Sequence, residues 1–161
     1  MTTADDTAGT LIDGDYEMRS ASVWNSLDSS TPEQFYAKIE ELVASLPADS
    51  PLIPFERACA FDSTGRPDKA VPLYEQALAL GVSGERRRRS VIQMASSLRN
   101  LGRVDEALQL LEAERTMPSD HLDDAVSATL ALVLATAAAS ARPCRSRSEP
   151  SPSTSRATNA R

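Results

Sequence analysis

Apolar residues along the chain fall into helical stripes separated by short polar breaks. The clearest stripe consists of Phe35, Ile39, Leu42, Val43 and Leu46, at three- and four-residue spacing. Before it, Thr31 can cap a helix, Pro32 suits a first helical position, and Gln34 can complete a capping box. Pro47 stops the pattern, because the residue before a proline avoids helical geometry. The pattern therefore predicts a helix over residues 32–46.

The first 30 residues carry a weaker pattern. Residues 1–15 are small, polar and acidic, and they lack the apolar surface that would offset the entropy of ordering. The larger apolar residues that follow are Tyr16, Val23, Trp24 and Leu27. They suffice for one short helix that docks on the next elements. We expect residues 1–30 to be mostly disordered, with this single candidate helix.

From residue 51 onward the chain repeats itself. The segment STGRPDKAVPLYEQAL (63–78) aligns with NLGRVDEALQLLEAER (100–115) at an offset of 37 residues. The matching pairs are Gly65 and Gly102, Arg66 and Arg103, Asp68 and Asp105, Ala70 and Ala107, Leu73 and Leu110, and Glu75 and Glu112. A period of this length indicates stacked helix–turn–helix units. Gly65 and Gly102 are placed to adopt the left-handed conformation that ends a helix.

The repeating unit resembles the tetratricopeptide repeat. That motif has small residues where its two helices cross, a glycine at the turn, and large apolar residues that fill the gap to the next repeat. The first copy supplies Ala58, Phe61, Gly65, Ala70, Tyr74 and Ala77, and the second supplies Met94, Ala95, Leu98, Gly102, Ala107 and Leu111. The whole is similar to small bacterial group 5 members of the family. The resemblance implies an all-α fold of antiparallel helix–turn–helix repeats, stacked as a short right-handed α-solenoid.

The resemblance covers roughly residues 31–138 and sets the expected boundaries. These are a capping helix over 32–46, repeat one over 51–81, repeat two over 85–117 and a half repeat over 120–137. The sequence departs from the family pattern at Arg57, which replaces an apolar residue, at Val82, which replaces a proline, and at Glu114, which replaces a small residue. In the half repeat, Leu130, Ala131 and Leu134 match the packing positions, but the turn glycine is absent near position 138.

Residues 139–161 have the composition of a disordered tail rich in Arg, Ser and Pro. Beyond Leu134 the chain contains no Leu, Ile, Val, Met or aromatic residue. This is either a natural flexible tail or the product of a frameshift that replaced the second helix of the third repeat, in a chain that would then have lost its function. A repeat abandoned midway favours the frameshift. In that case the last helix would lack its partner, and solenoids depend on terminal caps for solubility.

Charge and composition narrow the function classes. The net charge is −6; residues 136–161 carry five Arg and one Glu, or +4, so the remainder carries −10. An acidic body argues against nucleic acid as the main ligand, because phosphate binding needs a basic face. The N-terminus has no basic and apolar leader, which predicts a cytoplasmic protein. No phosphate-binding loop, dinucleotide fingerprint or nucleophile elbow is present, so we expect no cofactor, no small-molecule substrate and no enzyme activity.

The resemblance implies that a protein or peptide partner binds in the concave groove lined by the first helix of each repeat. The groove-facing candidates are Phe55, Glu56, Cys59 and Asp62 in repeat one, and Arg89, Gln93, Ser96, Arg99 and Asn100 in repeat two. This mixture of acids, bases and amides suits peptide recognition. It does not reproduce the Lys/Asn clamp of the members that bind chaperone tails, so that ligand is not implied.

Three other features carry alternative interpretations. His121 lies beside Asp120, Asp123 and Asp124, which would suit either a small metal enzyme or an acidic helix start that complements the helix dipole. The run Arg86–Arg89 is either a phosphate patch or a solvated helical turn, from which only Arg89 faces the groove. Residues 125–141 are uncharged and read either as a short membrane span or, better, as a packed repeat helix.

Overall fold

The computed structural model describes residues 14–141, and all its regular structure in that range is helical. The helices are α1 (Gly14–Trp24), α2 (Pro32–Val43), α3 (Leu52–Ser63), α4 (Pro67–Ala79), α5 (Gly84–Asn100), α6 (Val104–Glu114) and α7 (Asp123–Ser140), with a 3-10 turn at Leu27–Ser29. The expected disorder of residues 1–13 and 142–161, with the frameshift origin of the tail, lies outside the described residues. Residues 139 and 140, which were expected in the disordered tail, belong to α7.

Helix α2 begins as the sequence predicts. Thr31 accepts a hydrogen bond from the Gln34 backbone N–H, and the Gln34 side chain accepts from the Thr31 N–H, so both halves of the capping box are present. The helix ends at Val43, three residues before the predicted end at residue 46. The Ser45 hydroxyl donates a hydrogen bond to the Leu42 carbonyl oxygen. The Leu46 N–H bonds to the Val43 carbonyl oxygen and not to that of Leu42. A side chain thus replaces the helical bond that would have extended the last turn.

The two turns inside the repeats confirm the predicted role of glycine. Gly65 and Gly102 have φ angles of 75° and 78°. In repeat one the Arg66 N–H bonds to the Phe61 carbonyl oxygen at 2.8 Å, and in repeat two the Arg103 N–H bonds to the Leu98 carbonyl oxygen at 2.9 Å. These bonds satisfy carbonyls that the helix end would leave unpaired. They also reverse the chain so that α4 packs on α3 and α6 packs on α5.

Small residues lie at the helix crossings of both repeats. Ala58, Ala70, Ala95 and Ala107 are all fully buried. Tyr74 and Leu111 are also fully buried, and they fill the space between successive helix pairs. Alternating small and large side chains in this way let the helices approach closely without leaving voids. The fold is therefore all-α, with helix–turn–helix repeats stacked as a short α-solenoid.

The departures from the repeat pattern have local explanations. Val82 is buried, and its N–H bonds to the Ala77 carbonyl oxygen at the end of α4. It thus satisfies a carbonyl at the helix end and packs its apolar side chain in the core. Arg57 stays partly exposed and makes two bonds, of 2.7 and 2.6 Å, to Glu40 on α2. The substitution of an arginine for an apolar residue thus joins the capping helix to repeat one.

The segment before residue 31 is more regular than the sequence pattern indicates. Mostly disorder was expected across residues 1–30, yet α1 and the 3-10 turn occupy most of residues 14–30. Tyr16 is buried, and Trp24 packs edge-on against Phe35 of α2 with ring centroids 5.2 Å apart. The ordering comes from contacts with distant helices, which local composition does not reveal.

Helix α7 differs from the expected half repeat in its packing. It runs from Asp123 to Ser140 and not over 120–137, and it buries Val126, Leu130 and Val133 in the core shared with α5 and α6. Of the three predicted packing positions, Leu130 is buried, whereas Ala131 and Leu134 are exposed. Among residues 14–141, no helix follows α7.

Length and composition alone would also allow α7 to cross a membrane, with a mean hydropathy of 1.2 over its 18 residues. A core helix of a soluble protein meets the same criterion, but such a helix is mostly buried, whereas 17% of this window is buried. Here one row of the helix packs against α5 and α6. That packing is what the repeat interpretation of residues 125–141 expects.

Candidate functional site

A cavity of about 590 Å³ opens between α1, α3 and α5. Its walls are Glu17, Ser20, Ala21 and Trp24 of α1, Phe55, Glu56, Cys59 and Ser63 of α3, and Glu85, Arg86, Arg89 and Gln93 of α5, with Leu27 at one end. The first helices of the two repeats thus form two of the walls. Helix α1 supplies the third wall and turns a shallow groove into a deeper one.

Glu56 holds α1 in place. Its carboxylate accepts hydrogen bonds from the hydroxyls of Tyr16 at 3.2 Å and Ser20 at 3.3 Å, and from the Trp24 indole N–H at 2.8 Å. The residue is 2% exposed. Burial, together with the neighbouring Glu56 carboxylate, raises the pKa of the Tyr16 hydroxyl, which therefore stays protonated and donates. Glu56 is thus an internal anchor, and both of its carboxylate oxygens accept hydrogen bonds from α1.

The α5 wall presents a row of hydrogen-bond donors. Arg86, Arg89 and Gln93 lie on one face of the helix, since they are spaced by three and four residues. Arg86 bonds to Glu17 of α1 at 2.8 and 2.9 Å and lies 6.0 Å from the Phe55 ring centroid. Arg89 is half exposed, and its salt bridge to Glu85 spans 3.8 Å. Arg89 is therefore the cation of this wall that is most open to a ligand.

Hydrogen bonds fix the orientation of the Gln93 amide. Its oxygen accepts from the Tyr74 hydroxyl at 2.7 Å and from the Cys59 thiol at 3.3 Å. Burial raises the pKa of the Cys59 thiol to about 12 and also raises that of the Tyr74 hydroxyl, so both groups remain protonated donors. Because both bonds go to the oxygen, the Gln93 nitrogen keeps its hydrogens for a ligand in the cavity.

The structure brings part of the predicted groove together. Phe55, Glu56, Arg89 and Gln93 line the cavity, and so does Cys59. The other candidates, Asp62, Ser96, Arg99 and Asn100, do not line it.

Three of these outlying candidates, Asp62, Arg99 and Asn100, are engaged within the chain. Asp62 accepts a 2.5 Å bond from Ser97; burial raises the pKa of the Asp62 carboxyl, and this bond opposes the shift. Arg99 donates to the neighbouring Asn100 side chain at 3.0 Å. The cavity therefore contains five of the predicted groove residues, and the other four lie outside it.

Sequence reasoning missed the contribution of α1 to this site. Tyr16, Ser20 and Trp24 recur every four residues, which places all three side chains on one helical face. That spacing was the available signal. It was weak, because one serine and two aromatic residues do not make a conventional apolar stripe.

The arginine run divides among several partners. Arg87 makes two 2.7 Å bonds to the buried Glu114, which explains why an acid replaces a small residue there. Arg88 is buried and bonds to Asp120 at 2.9 Å and Asp123 at 2.5 Å. The interpretation as a solvated turn is therefore wrong for Arg88, whereas Arg89 faces the groove as expected. The run links α5 to α6 and α7.

The surroundings of His121 do not assemble a metal site. Its imidazole is largely exposed and lies 3.5 Å from Glu85, while Asp120 and Asp123 point to Arg88. Across residues 14–141, no three His, Cys, Asp or Glu side chains are grouped closely enough to hold a metal ion. Among the described residues, the alternative of a metal enzyme centred on His121 therefore finds no set of ligands.

Comparison with known families identifies the architecture. The model of the tetratrico peptide repeat family matches residues 51–145, more than half of the chain. No curated protein and no solved structure gives a significant match. Proteins of this family generally mediate protein–protein interactions and are typically non-enzymatic scaffolds. The repeated sequence, the paired helices and this match agree, and the chain therefore belongs to the tetratricopeptide repeat family.

Proposed function

We propose that the protein is a non-catalytic scaffold that binds a peptide or protein segment in the cavity between α1, α3 and α5. The observation that carries the proposal is the α5 wall, where Arg89 and the Gln93 amide nitrogen offer donors beside the apolar side chains of Phe55 and Trp24. Convergent polar groups in a concave site are one mark of a binding site. Here polar and apolar surfaces contribute about equally to the lining, which suits the mixed chemistry of a peptide.

The charged residues that line the cavity are Glu17, Glu56, Glu85, Arg86 and Arg89, and the preference for an acidic segment rests on Arg89 alone. Glu56 and Asp62, the two acidic groove candidates of repeat one, already accept bonds from within the chain. Arg89 has only its distant contact with Glu85. A carboxylate or backbone carbonyl of the partner would bond to Arg89 and Gln93, and a neighbouring apolar side chain would contact Trp24, which is only partly buried.

A longer segment would continue along α5. Ser96 and Asn100 follow Gln93 at three- and four-residue spacing, so they extend the same helical face beyond the cavity. Two stacked repeats still make a small contact surface. Small interfaces rarely supply more than about 8 kcal/mol, so we expect affinities for a single peptide to be micromolar or weaker.

The test begins with a probe that can be made without knowing the partner. A display library of random peptides, selected on the full chain, should enrich sequences with an acidic residue next to an apolar one. The enriched peptide is then titrated against wild type and Arg89→Glu at about 50 and about 300 mM salt. We expect Arg89→Glu to weaken binding by about tenfold at low salt, and less at high salt because added ions screen exposed charges.

Arg103→Glu is the matched control. Arg103 is an exposed arginine with a local acidic partner, Glu106, and it does not line the cavity. Reversing its charge should leave the affinity for the peptide within about twofold of wild type, because salt screens exposed charges that lie far from the ligand. Enrichment of basic peptides, or equal losses in the two variants, would refute the proposed site.

A further inference from the structure

Glu85 lies between the open cation of the cavity and the only histidine of the chain. One of its carboxylate oxygens is 3.8 Å from a guanidinium nitrogen of Arg89, and the other is 3.5 Å from Nε2 of His121. Glu85 and Arg89 line the cavity, whereas His121 does not. The three side chains thus connect the cavity wall to a residue outside it. We call this set the Glu85 cluster.

The fold brings His121 to Glu85 by way of Arg88. His121 belongs to the segment between α6 and α7, and Glu85 belongs to the first turn of α5. Arg88 is buried and pairs with Asp120 and Asp123, which stand on either side of His121 in sequence. These ion pairs fix the segment that carries the imidazole. The contact between Glu85 and His121 therefore depends on the stacking of α7 against α5.

The groups around the Glu85 cluster differ in their response to pH. Besides the cluster itself, the charged residues at the start of α5, the end of α6 and the start of α7 include Arg87, Arg88, Glu114, Asp120, Asp123 and Asp124. Carboxyl groups ordinarily titrate near pH 4 and guanidinium groups above pH 12, whereas an imidazole changes charge between about pH 5 and pH 8. The imidazole is therefore the group of this region that is expected to respond in that range.

Protonation of His121 changes the charge beside the cavity. While the imidazole is neutral, the charges of Glu85 and Arg89 cancel. A protonated imidazole adds one positive charge, and it also attracts the Glu85 carboxylate and weakens the hold of that carboxylate on Arg89. Both effects make the cavity wall more attractive to an acidic group.

We propose that Glu85 and His121 regulate the binding of acidic segments at Arg89, so that binding tightens as the pH falls from about 8 to about 5.5. This inference rests on the proposed function, because it requires an acidic ligand at Arg89. The effect is small, since all three side chains are at least half exposed and salt screens exposed charges. We expect the affinity for the display-selected acidic peptide to rise by about threefold over this range.

Titration of that peptide into the full chain at about pH 8 and about pH 5.5, in about 50 mM salt, tests the regulation. In His121→Gln, which is polar but has no imidazole, the two affinities should agree within about 1.5-fold. Because the chain has no other histidine, this variant also controls for every other effect of pH on the protein and the peptide. A threefold change that persists in His121→Gln would overturn the proposal.

Glu85→Gln tests the residue in the middle of the cluster. Without the carboxylate, Arg89 has no competing acid, so binding at about pH 8 should tighten by about threefold and should gain little more at about pH 5.5. Glu106→Gln is the matched control, at an exposed glutamate that pairs with Arg103 and does not line the cavity. It should bind the peptide as wild type does. Equal affinities of the two variants at about pH 8 would remove Glu85 from the mechanism.

A measurement without ligand separates this inference from the proposed function. In the isotope-labelled full chain, the nuclear magnetic resonance signal of the Arg89 Nε–H group should move with pH together with the His121 imidazole signals, and it should stop moving in Glu85→Gln. An Arg89 signal that does not follow the imidazole would refute the coupling. Failure of the selected peptide to bind at either pH would refute the proposed function, whereas equal binding by wild type at both would refute only the regulation.

Discussion

At the residue scale, Glu56 connects the repeat domain to the helix before it. A carboxylate at 2% exposure needs partners for its charge, and all three side chains bonded to it belong to α1. The carboxylate and α1 therefore depend on each other. Without α1, Glu56 would face the groove as an unpaired acid, and without Glu56, three donors of α1 would lose their acceptor.

Replacing Glu56 with leucine should release α1. Leucine is similar in size to glutamate but has no hydrogen-bond acceptor. The donors of Tyr16, Ser20 and Trp24 would lose their partner, and each buried donor left unpaired costs about 1–3 kcal/mol. Trp24 is the only tryptophan of the chain, so its fluorescence reports α1 docking directly. We expect its emission to shift to longer wavelength. Glu40→Leu, at an exposed glutamate that pairs with Arg57, should leave the spectrum unchanged, and an unshifted spectrum in Glu56→Leu would refute the anchoring role.

Cys59 should behave as an inert thiol. Burial raises its pKa from the ordinary value of 9.0 to about 12, so folding favours the protonated form. This contribution to stability is complete below about pH 9 and is lost as the pH rises toward 12, because the unfolded chain ionises first. In a Cys144→Ser background at pH 8, an aromatic disulfide reagent should label Cys59 at least about 100-fold faster in denaturant than in buffer. Equally fast labelling of the folded protein would contradict the observed burial.

At the scale of single elements, some helices follow from the local sequence pattern, whereas others depend on contacts with residues far along the chain. Helix α2 and the four repeat helices follow from apolar spacing, capping residues and the glycines at 65 and 102. Helix α1 does not, because the acceptor that orders it lies 36 residues beyond Ser20 and 40 beyond Tyr16. The early end of α2 at Val43 depends on one serine hydroxyl, and periodicity does not encode such a competing bond.

Ala107 tests the crossing of α5 and α6. It is fully buried, so a leucine there forces helices apart and typically costs about 1–3 kcal/mol. We expect Ala107→Leu to lower the melting temperature by several degrees, and Ala107→Glu to lower it further. Ala113→Leu, on an exposed face of the same helix, should change it little. An unchanged melting temperature for Ala107→Glu would contradict the repeat alignment.

At the scale of the whole molecule, ion pairs at the start of α5 tie repeat two to the last helix. Arg87 reaches Glu114 at the end of α6, and Arg88 reaches Asp123 at the start of α7. Neither link was visible in the sequence, where four consecutive arginines resemble a solvated turn. Which arginine is buried depends on where α6 and α7 end and begin, and that follows from the stacking of the repeats.

Arg88 and Arg89 are neighbours with opposite expected effects on stability. Arg88→Ala removes a buried side chain that bonds to Asp120, Asp123 and the Pro118 carbonyl, so thermal unfolding monitored by circular dichroism should begin at a lower temperature. Arg89→Ala removes a half-exposed side chain with one long contact and should leave unfolding almost unchanged. If the two variants melt together, the link from α5 to α7 contributes nothing to stability.

The site was predictable from sequence to the extent that it follows repeat position. Arg89 and Gln93 project into the cavity as the family register implies. The hydrogen-bond partners of each acid do not follow from repeat position: Trp24 donates to Glu56, and Ser97 donates to Asp62. Those bonds determine which charges remain for a partner, and they require the folded arrangement of α1, α3 and α5.

The most direct test of binding between α1, α3 and α5 is a nuclear magnetic resonance titration of the isotope-labelled full chain with the display-selected acidic peptide. The single indole N–H of Trp24 and the side-chain amide of Gln93 each give a separate signal, and both residues line the cavity. The account predicts that these two signals shift together, in a saturable way, and that Arg89→Glu largely removes the shifts. Shifts confined to α7, or a bound peptide that leaves both signals unmoved, would contradict it.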